Sequence, residues 1–315
     1  MENCWTKILY KRETLKVFLF GSNGFVGQNL LLTSGFDFTC IDNNFLGNAM
    51  PETTVKADIR NDQEKIAHLF DSCNEDFCVV NLAAIHSIPY CNKNPGEALH
   101  VNVYGNQKIF EAAYRSRCRH FIFASSGAVY KPDISIHSED DTIESSDIYS
   151  SSKIMCESYL RGISSEKEIK VTSLRFFNIV GKYDLTPHLI PDIFDQILSN
   201  KDRIELGNLK TLRDYVHVDD VCSAIRSVLT NSKGTGFRAF NVCTGQGLSG
   251  EQIVDLALEV SQSDKDIYID QGRFRVSDRP SQIGSFDRLE SEYGWRPEKN
   301  IQTAMREYLS WRLSN

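Results

Sequence analysis

The stretch LKVFLFGSNGFVGQNLLL, residues 15 to 32, constrains the fold more than any other part of the chain. Its first six residues are mostly apolar and predict a buried strand, and the apolar spacing after the glycines predicts a helix. Gly21, Gly24 and Gly27 lie between the two. Glycine at these positions lets the chain turn tightly, lets its backbone approach a phosphate, and lets the helix pack close to the strand. The stretch therefore predicts a βαβ start with a dinucleotide-binding loop.

The second predicted strand, FTCIDNN, brings a carboxylate to the place where ribose hydroxyls need an acceptor. Asp42 follows Gly21 by 21 residues, which is the usual distance for this contact. Its charge would repel the extra phosphate of NADP, so we expect NAD as the cofactor. The simpler interpretation is three turn glycines in a protein that has 19 of them. The order of strand, loop, helix and acid favours the cofactor site over that interpretation.

Apolar strands alternate with helix-like segments in the first half of the chain. FCVVNLAA, HFIFASS and KVTSLRFFN continue the series of predicted strands. This alternation predicts an α/β fold with a doubly wound parallel (Rossmann) sheet, covered by helices on both faces. After Asn178 short strands and helices mix, which predicts a smaller C-terminal α/β substrate domain. We expect an NAD-binding domain at 1–178, to which 215–245 partly returns, a second, substrate-binding domain at 179–315, and a tail or added helix at 1–14.

The composition excludes several classes of protein. A formal net charge of -7 leaves no overall basic field to hold a nucleic acid. The nine cysteines include no C-x-x-C pair, so we expect neither a disulfide framework nor a metal site, and a reducing cytoplasm is the expected location. No apolar run reaches the ~18 residues of a membrane span. We therefore expect no nucleic-acid partner and no membrane partner.

Two Y-x-x-x-K matches are candidates for a proton-transfer site: Tyr149 with Lys153, and Tyr104 with Lys108. Free tyrosine has a pKa of about 10, and a lysine one helical turn away would stabilise the phenolate and lower that pKa. Ser126 ends a predicted strand 23 residues before Tyr149, and chemistry in doubly wound sheets occurs beyond such strand ends. Tyr104 has no such hydroxyl before it. We therefore expect Tyr149 to be functional and Tyr104 to be a packed or surface residue.

An ordered set of motifs resembles the extended short-chain dehydrogenase/reductase family, within its nucleotide-sugar epimerases and dehydratases, and is similar to UDP-galactose 4-epimerase. The resemblance covers nearly all of the chain from about Leu15. In chain order the motifs are GSNGFVG, Asp42, Asp58, NLAA (81–84), NVYG (102–105), SSGAVY (125–130), YSSSK (149–153), RFFN (175–178), RDYVHVDD (213–220), FNVCTG (240–245), DRP (278–280) and YGWRP (293–297).

The resemblance implies a role for each matching residue. Tyr149 is expected to be the catalytic acid/base, Lys153 to hold the nicotinamide ribose and tune the tyrosine, and Ser126 to hydrogen-bond the reacting oxygen. The expected cofactor contacts are Gly21, Asn23, Gly24, Phe25, Val26, Gly27, Asp42, Asp58, Ile59, Leu82, Ala83, Ala84, Tyr149 and Lys153. The expected substrate contacts are His86, Ser126, Tyr149, Asn178, Arg213 and Arg279, with the last three at the nucleotide diphosphate.

Simpler roles stay open for three of these residues. Asp58 follows a short strand and is as well placed to cap a helix as to contact adenine. His86 is equally compatible with a loop histidine satisfied by backbone. Arg213 is also compatible with an ion pair to the adjacent Asp214.

Departures from the family pattern narrow the expected reaction. Gly127 and Ala128 follow Ser126 where 4,6-dehydratases usually carry an Asp-Glu pair, so dehydration is disfavoured. Lys131, Asn81 and Gln282 also differ from common residues, which weakens the substrate assignment. We expect an NAD-dependent nucleotide-sugar 4-epimerase that acts through a 4-keto intermediate. The alternatives are a reductase of nucleotide-linked 4-keto-6-deoxy sugars that uses NAD(P)H, and a catalytically silent NAD-binding protein. The resemblance also implies a homodimer, formed through the long helix predicted at 95–117 and the Tyr149 helix.

Overall fold

The computed structural model describes residues 15–33, 35–43, 54–231, 234–274 and 279–314. The predicted tail or added helix at 1–14 lies outside these residues, as does Asp278 of the DRP motif. The strands are β1 Lys16–Phe20, β2 Asp37–Asp42, β3 Val55–Lys56, β4 Phe77–Asn81, β5 Cys118–Ser126, β6 Ile136–His137, β7 Lys170–Phe176, β8 Asn178–Val180, β9 Arg203–Leu206, β10 Leu212–His217, β11 Gly236–Val242, β12 Gly247–Ser249, β13 Asp266–Ile269 and β14 Ser281–Gly284. The helices are α1 Phe25–Thr33, α2 Gln63–Asp71, α3 Ile88–Lys93, α4 Pro95–Leu99, α5 Asn106–Arg115, α6 Ile148–Lys167, α7 Leu189–Leu198, α8 Val218–Thr230, α9 Gly250–Ser261, α10 Asp287–Tyr293 and α11 Ile301–Ser314.

A seven-stranded parallel sheet forms the larger unit, in the order β11-β7-β5-β4-β1-β2-β3. The register places Phe20 opposite both Ile41 and Asn81, and it places Ser126 opposite Phe176. The carboxyl ends of these strands therefore meet at one edge of the sheet, where ligands bind in such folds. The predicted doubly wound parallel fold is confirmed.

Alternate residues of β1 face different helix layers, as the two-residue period of a strand requires. Val17 and Leu19 pack in a cluster with residues of α1 and α8, whereas Phe18 and Phe20 pack with α2 and α5. Both sets are at most 2% exposed, so the sheet is buried on both faces. This double burial explains why its strands are continuous apolar runs.

The long helix predicted for residues 95–117 is interrupted in the structure. A π-helical turn, His100–Gly105, joins α4 to α5, and the helical part ends at Arg115. Gly105 is buried in this turn, and a Cβ atom there would lie 2.7 Å from Cγ1 of Ile59. A π turn often marks a functional position because it redirects side chains within a helix.

The smaller unit is built around a second sheet in the order β12-β10-β14-β6, with β8 paired to β10. Helices α7, α9 and α11 pack together in a separate apolar cluster with β9 and β10. The chain then crosses back, because α8 packs against α1 and β11 becomes the edge strand next to β7. The segment 218–242 therefore lies with the larger sheet, whereas β10 lies in the smaller one.

Candidate active site

The glycine loop is shaped by close backbone approaches. Gly21 has φ 74°, and a Cβ atom on it would lie 2.8 Å from the amide nitrogen of Ala83. A Cβ atom on Gly27 would collide with the carbonyl oxygen of Gly21 and lie 2.7 Å from that of Ser22. Side chains at either position would push the loop away from the strand ends, so only glycine keeps this cradle for a phosphate.

Gly27→Ala is expected to weaken NAD binding at least tenfold and to lower the free energy of unfolding by about 2 kcal/mol, because a methyl group must displace packed backbone. Calorimetric titration with NAD and urea unfolding measure the two effects. Gly162→Ala is the matched control, since a Cβ atom there meets nothing within 4 Å. Equal NAD affinities for the two variants would contradict the assignment of the loop.

Asp42 ends β2 beside this loop, and its Oδ2 accepts a hydrogen bond from the amide of Asn23 at 2.8 Å. A single cavity of about 800 Å³ runs from the glycine loop and Asp42 past Leu82, Ala83 and Ala84 to the catalytic candidates. The cradle lacks side chains where a pyrophosphate needs room, and the carboxylate lies where ribose hydroxyls need an acceptor. The residues present therefore fit NAD.

Asp58 lies in the wall of this cavity and is held by Arg60. Its carboxylate accepts from the amide of Arg60 at 2.8 Å and from Nη2 at 2.7 Å. These bonds lower the pKa of Asp58 to about 2. The N-cap residue of α2 is Asp62. The helix-cap interpretation of Asp58 is therefore wrong. Ile59 lines the same part of the cavity, and the adenine contact of both residues stays a prediction.

Ser126, Tyr149 and Lys153 line the same cavity as the glycine loop. Ser126 ends β5, where its Oγ accepts a hydrogen bond from the amide of Ala128 at 3.1 Å. Tyr149 is the second residue of α6, whose N-terminus is capped by Asp147. Ser126 is close enough to the Tyr149 hydroxyl to act on its pKa. The fold thus brings the three predicted catalytic groups together.

The pKa values of Tyr149 and Lys153 differ from the sequence-based expectation. Burial raises the pKa of Tyr149 to about 12, although Ser126 acts to lower it. Lys153 was expected to lower that pKa, but its Nζ donates to the carbonyl oxygen of Ala124 at 2.7 Å and lies 5.6 Å from the centre of the tyrosine ring. Burial also lowers the pKa of Lys153 to about 8. Desolvation therefore outweighs the mutual stabilisation that the i, i+4 spacing predicts.

Lys153→Met is expected to raise the free energy of unfolding at pH 7 by about 2 kcal/mol. The shift of its pKa from 10.5 to about 8 corresponds to a cost of about 3 kcal/mol for the charged lysine, and loss of the bond to Ala124 offsets about 1 kcal/mol. Between pH 8 and 10.5 the folded state binds fewer protons at Lys153 than the unfolded state, so the stability advantage of Lys153→Met over the native protein should shrink as the pH rises through that window. The buried thiols, whose raised pKa values act in the opposite sense, are common to both proteins and cancel in this difference. Urea unfolding across this range measures both effects, with Lys108→Met as the surface control. A less stable Lys153→Met protein would contradict the prediction.

The other Y-x-x-x-K match lies elsewhere. Tyr104 is 41% exposed and lines a separate surface groove with Met155, while Lys108 forms an ion pair with Glu111 at 3.0 Å. Lys108 lies 5.3 Å from the ring of Tyr104, much as Lys153 does from Tyr149. The spacing therefore creates the same local pair twice, and only one of the pairs faces the cofactor cavity.

Asn178 and Arg213 line the end of the cavity beside the smaller unit. Nη1 of Arg213 donates to the carbonyl oxygens of Leu212 at 2.8 Å and Arg279 at 2.9 Å. Asp214 turns away from Arg213: its carboxylate accepts from the amide and hydroxyl of Thr244 at 2.8 and 2.7 Å. The carboxylate of Asp214 therefore binds Thr244 and does not form the ion pair with Arg213 that the sequence allowed.

Arg279 lines the cavity, where its diphosphate contact stays a prediction, and its guanidinium also bonds within the chain. Nη1 donates to the carbonyl oxygen of Tyr130 at 2.8 Å, and Nη2 donates to the carbonyl oxygen of Ala128 and to Oγ of Ser146. The side chain is only 9% exposed. Arg279 therefore holds the loop that follows Ser126 through bonds to two of its carbonyl groups.

His86 faces the cavity from the loop after β4. Its Nε2 lies 3.1 Å from Oγ1 of Thr186, and its ring centre lies 6.0 Å from that of His188. The walls of the cavity desolvate the ring and lower its pKa, and His188 adds to this effect. The backbone of Ala84 acts in the opposite direction on this pKa, so His86 faces the cavity and is also influenced by its own loop.

Asn102 has a structural role beside the cavity that the sequence did not predict. Its Oδ1 accepts from the amide of Ile85 at 2.8 Å, and its Nδ2 donates to the carbonyl oxygen of Ile85 and to Oγ of Ser152. The buried amide thus ties the loop after β4 to the helix that carries Tyr149. The NVYG motif, which begins with Asn102, was the sequence pattern that could have indicated this role. Asp184 and Thr186 also line the cavity, with no local pattern to mark them, and so does Gln282, which the sequence marked only as a departure from the family pattern.

Among the described residues, one group has the ligand types of a metal site: His217, Asp219 and Glu307. Lys299 places its ammonium group against both carboxylates. Nδ1 of His217 accepts a hydrogen bond from the amide of Asp219 at 2.9 Å, so Nε2 carries the proton of the neutral ring. The group is therefore explained as an ion-pair cluster at the start of α8. Within the same residues, none of the helices is both long and apolar enough to cross a membrane.

Comparison with known proteins assigns the family. The model of the NAD dependent epimerase/dehydratase family matches residues 17–243. The chain belongs to this family. NAD is accordingly its cofactor, as the glycine loop and Asp42 predicted.

The relatives within the NAD dependent epimerase/dehydratase family differ in activity. UDP-glucose 4-epimerase of Corynebacterium glutamicum is 26% identical over 306 residues, which cover 90% of this chain and 91% of that protein. GDP-6-deoxy-D-mannose reductase of Pseudomonas aeruginosa is 27% identical, with 94% and 97% covered. The crystal structure of UDP-glucose 4-epimerase with UDP-glucose from Thermotoga maritima superposes with a TM-score of 0.87 at 22% identity, covering 95% of this chain and 99% of that one. These identities support the family and the fold.

Proposed function

We propose that this protein is an NAD-dependent nucleotide-sugar 4-epimerase with Tyr149 as its acid/base. The observation that carries the proposal is that Tyr149, Ser126 and Lys153 line the same cavity as the glycine loop. Both hydroxyls can reach one substrate oxygen, and Lys153 supplies a buried positive charge beside them. Such a constellation is the minimum for moving a proton to and from a sugar hydroxyl.

NAD, when bound, supplies a hydride acceptor and donor at C4 of the sugar. The chain itself handles the proton and the orientation: Tyr149 exchanges the proton of the C4 hydroxyl, and Ser126 hydrogen-bonds the same oxygen. In the oxidation step Tyr149 must act as a phenolate that accepts the proton of the C4 hydroxyl, and the phenol so formed then returns this proton to the 4-keto oxygen. Burial raises the pKa of Tyr149 to about 12 and so disfavours the phenolate, whereas the positive charges of Lys153 and of bound NAD would favour it. The keto sugar then accepts hydride on its other face, and the C4 configuration is inverted.

We assign the nucleotide diphosphate to the end of the cavity formed by Asn178 and Arg213. A guanidinium group suits a diphosphate because it makes paired, charge-assisted hydrogen bonds. Arg279 supports this end indirectly through the loop after Ser126. On this proposal residues 1–178, with the returning segment, hold the cofactor, and residues 179–315 hold the substrate. The similarity to a UDP-glucose 4-epimerase favours a uridine nucleotide as the first substrate to test.

A second candidate is a reductase of nucleotide-linked 4-keto-6-deoxy sugars. It is favoured by the 27% identity to GDP-6-deoxy-D-mannose reductase, which covers 97% of that protein. The same tyrosine, serine and lysine would act once per turnover, and reduced cofactor would be consumed. Asp42 argues against NADPH as that reductant, because its carboxylate lies beside the glycine loop and would repel a 2′-phosphate.

The deciding experiment offers UDP-, dTDP-, GDP- and CDP-sugars to the purified protein and follows C4 by NMR. Inversion without added cofactor supports the epimerase. Stoichiometric loss of NADH or NADPH with a 4-keto sugar supports the reductase instead. If folded, NAD-loaded protein changes no sugar, the proposal is wrong and the silent NAD-binding alternative stands.

We also propose a homodimer formed through the face of α5 and α6. Tyr104 and Met155 are 41% and 51% exposed in one surface groove of this face, as expected for residues that a second copy covers. Light scattering should give twice the chain mass for the native protein. Met155→Glu should give the single-chain mass; a native monomer would refute the proposal.

A further inference from the structure

One guanidinium group joins the two loops that carry the predicted catalytic hydroxyls. Nη1 of Arg279 donates to the carbonyl oxygen of Tyr130 at 2.8 Å, and Nη2 donates to that of Ala128 at 2.5 Å. The same Nη2 donates to Oγ of Ser146 at 2.7 Å. Ala128 follows Ser126 at the end of β5, whereas Ser146 comes directly before the N-cap residue of α6. Arg279 therefore contacts both loops at once.

Each of these contacts lies close to one of the two hydroxyls. On the β5 side, the amide of Ala128 donates to Oγ of Ser126 at 3.1 Å. On the α6 side, Oγ of Ser146 donates to Oδ2 of Asp147 at 3.2 Å, and Asp147 caps the first turn of the helix. Tyr149 is in that turn. The relative placement of the two hydroxyls thus depends on a short chain of hydrogen bonds centred on this guanidinium.

The guanidinium is shielded from water and has fixed directions. Arg279 is 9% exposed, and its three acceptors are neutral oxygens. Hydrogen bonds from a charged donor are short and strong, and a planar guanidinium fixes the directions of its N–H groups. A lysine ammonium is a single point, so it could not hold both loops at a set separation. These three bonds leave part of the guanidinium for a ligand, so a diphosphate contact is compatible with them.

The backbone that carries this guanidinium is anchored to β10. The carbonyl oxygen of Arg279 accepts from Nη1 of Arg213 at 2.9 Å, and that of Pro280 accepts from the amide of Leu212 at 2.9 Å. β14 pairs with β10 directly after this point. The guanidinium is therefore fixed at its base by the smaller sheet, while its tip holds the loops after β5 and before α6.

We propose that Arg279 is a positioning residue that sets the separation of the Ser126 and Tyr149 hydroxyls. Both hydroxyls must reach one substrate oxygen, and a displacement of about 1 Å from the reactive geometry can lower a rate by about a hundredfold. Arg279 fixes the separation because it holds the two loops on one planar group. The consequence for turnover rests on the proposed function; the placement of Tyr149 does not.

Ser146→Ala breaks the bridge on the α6 side and keeps the charge of Arg279. We expect kcat to fall about tenfold and KM for the nucleotide sugar to stay within about twofold, because the phenol is displaced while the diphosphate contact is kept. Arg279→Lys should lower kcat at least as much, since the charge is kept but the fork is lost. The matched control is Ser145→Ala, at an exposed serine outside the cavity wall, and it should keep the native kcat.

The surroundings of Tyr149 can be followed without cofactor or substrate. The full chain is labelled with tyrosine that carries carbon-13 at the ring carbon bonded to the hydroxyl, and Tyr149→Phe identifies its NMR signal. We expect this signal to move in Ser146→Ala and in Arg279→Lys, and to stay in place in Ser145→Ala. A purely structural role of Arg279 would lower the free energy of unfolding without moving the signal or kcat. A diphosphate contact alone would raise KM in Arg279→Lys and leave Ser146→Ala like the native protein.

The proposal stands if Ser146→Ala moves the Tyr149 signal and lowers kcat with little change in KM. It is overturned if the signal in Ser146→Ala stays where it is in Ser145→Ala. Should Arg279→Lys not fold, Ser146→Ala decides by itself, because it removes one hydroxyl from an exposed residue. If the signal moves as predicted but no sugar is converted, the proposed function is wrong and the positioning role stands.

Discussion

Tyr149→Phe is expected to lower kcat by about a hundredfold to ten-thousandfold, because the hydroxyl that exchanges the proton of the substrate is removed while the ring is kept. NAD affinity should change little, since the predicted cradle for the pyrophosphate lies in the glycine loop. The rate of C4 inversion by NMR and calorimetric titration with NAD measure the two quantities.

Tyr104→Phe is the matched control for this prediction. It removes the hydroxyl of the other Y-x-x-x-K pair, which has a similar lysine-to-ring distance but lies in a surface groove. We expect its kcat to stay within twofold of the native value. If Tyr149→Phe kept more than a tenth of the native kcat, Tyr149 would not be the acid/base and the mechanism would fail.

Arg175→Met is expected to lower the free energy of unfolding by about 3 to 5 kcal/mol, because it leaves the carboxylate of Glu157 buried without its partner. Arg175 is 1% exposed, so water cannot take the place of the guanidinium. The loss is measured by urea unfolding at pH 7, with Arg203→Met as a control on an exposed ion pair.

The double variant Arg175→Met with Glu157→Leu separates a buried charge from lost packing. It should be more stable than Arg175→Met alone, since no unpaired charge remains and apolar side chains fill part of the space. A double variant as unstable as the sum of the two single variants would show that the pair contributes packing and hydrogen bonds without electrostatic coupling.

Several features of the fold followed from short stretches of sequence. The strand, glycine loop and helix at residues 15 to 33 appeared where predicted, and the strand ends that carry Asp42 and Ser126 lie at the same edge of the parallel sheet. These predictions rest on local periodicity and on backbone freedom, which neighbouring residues determine. The π turn within the predicted long helix could not be foreseen, because Gly105 is packed against Ile59 from a distant loop.

Arg279 shows what a motif leaves open. Its motif matches a diphosphate-binding position and the residue lines the cavity, but the motif does not indicate that its guanidinium also contacts carbonyl oxygens of Ala128 and Tyr130, about 150 residues earlier in the chain. His86 is similar, because its partner Thr186 is 100 residues away. A sequence pattern indicates that a charged or polar group is present, whereas its partners depend on how distant loops meet.

The sequence by itself determined the family, the parallel sheet and the cofactor loop, since each depends on residue types in a fixed local order. It also determined that two lysines would each lie one turn from a tyrosine. Only the tertiary structure decided which of these pairs faces the cofactor cavity, and that burial raises the pKa of Tyr149 to about 12 and lowers that of Lys153 to about 8. The physical reason is that desolvation is set by the whole surrounding fold, whereas helical spacing is set by four residues.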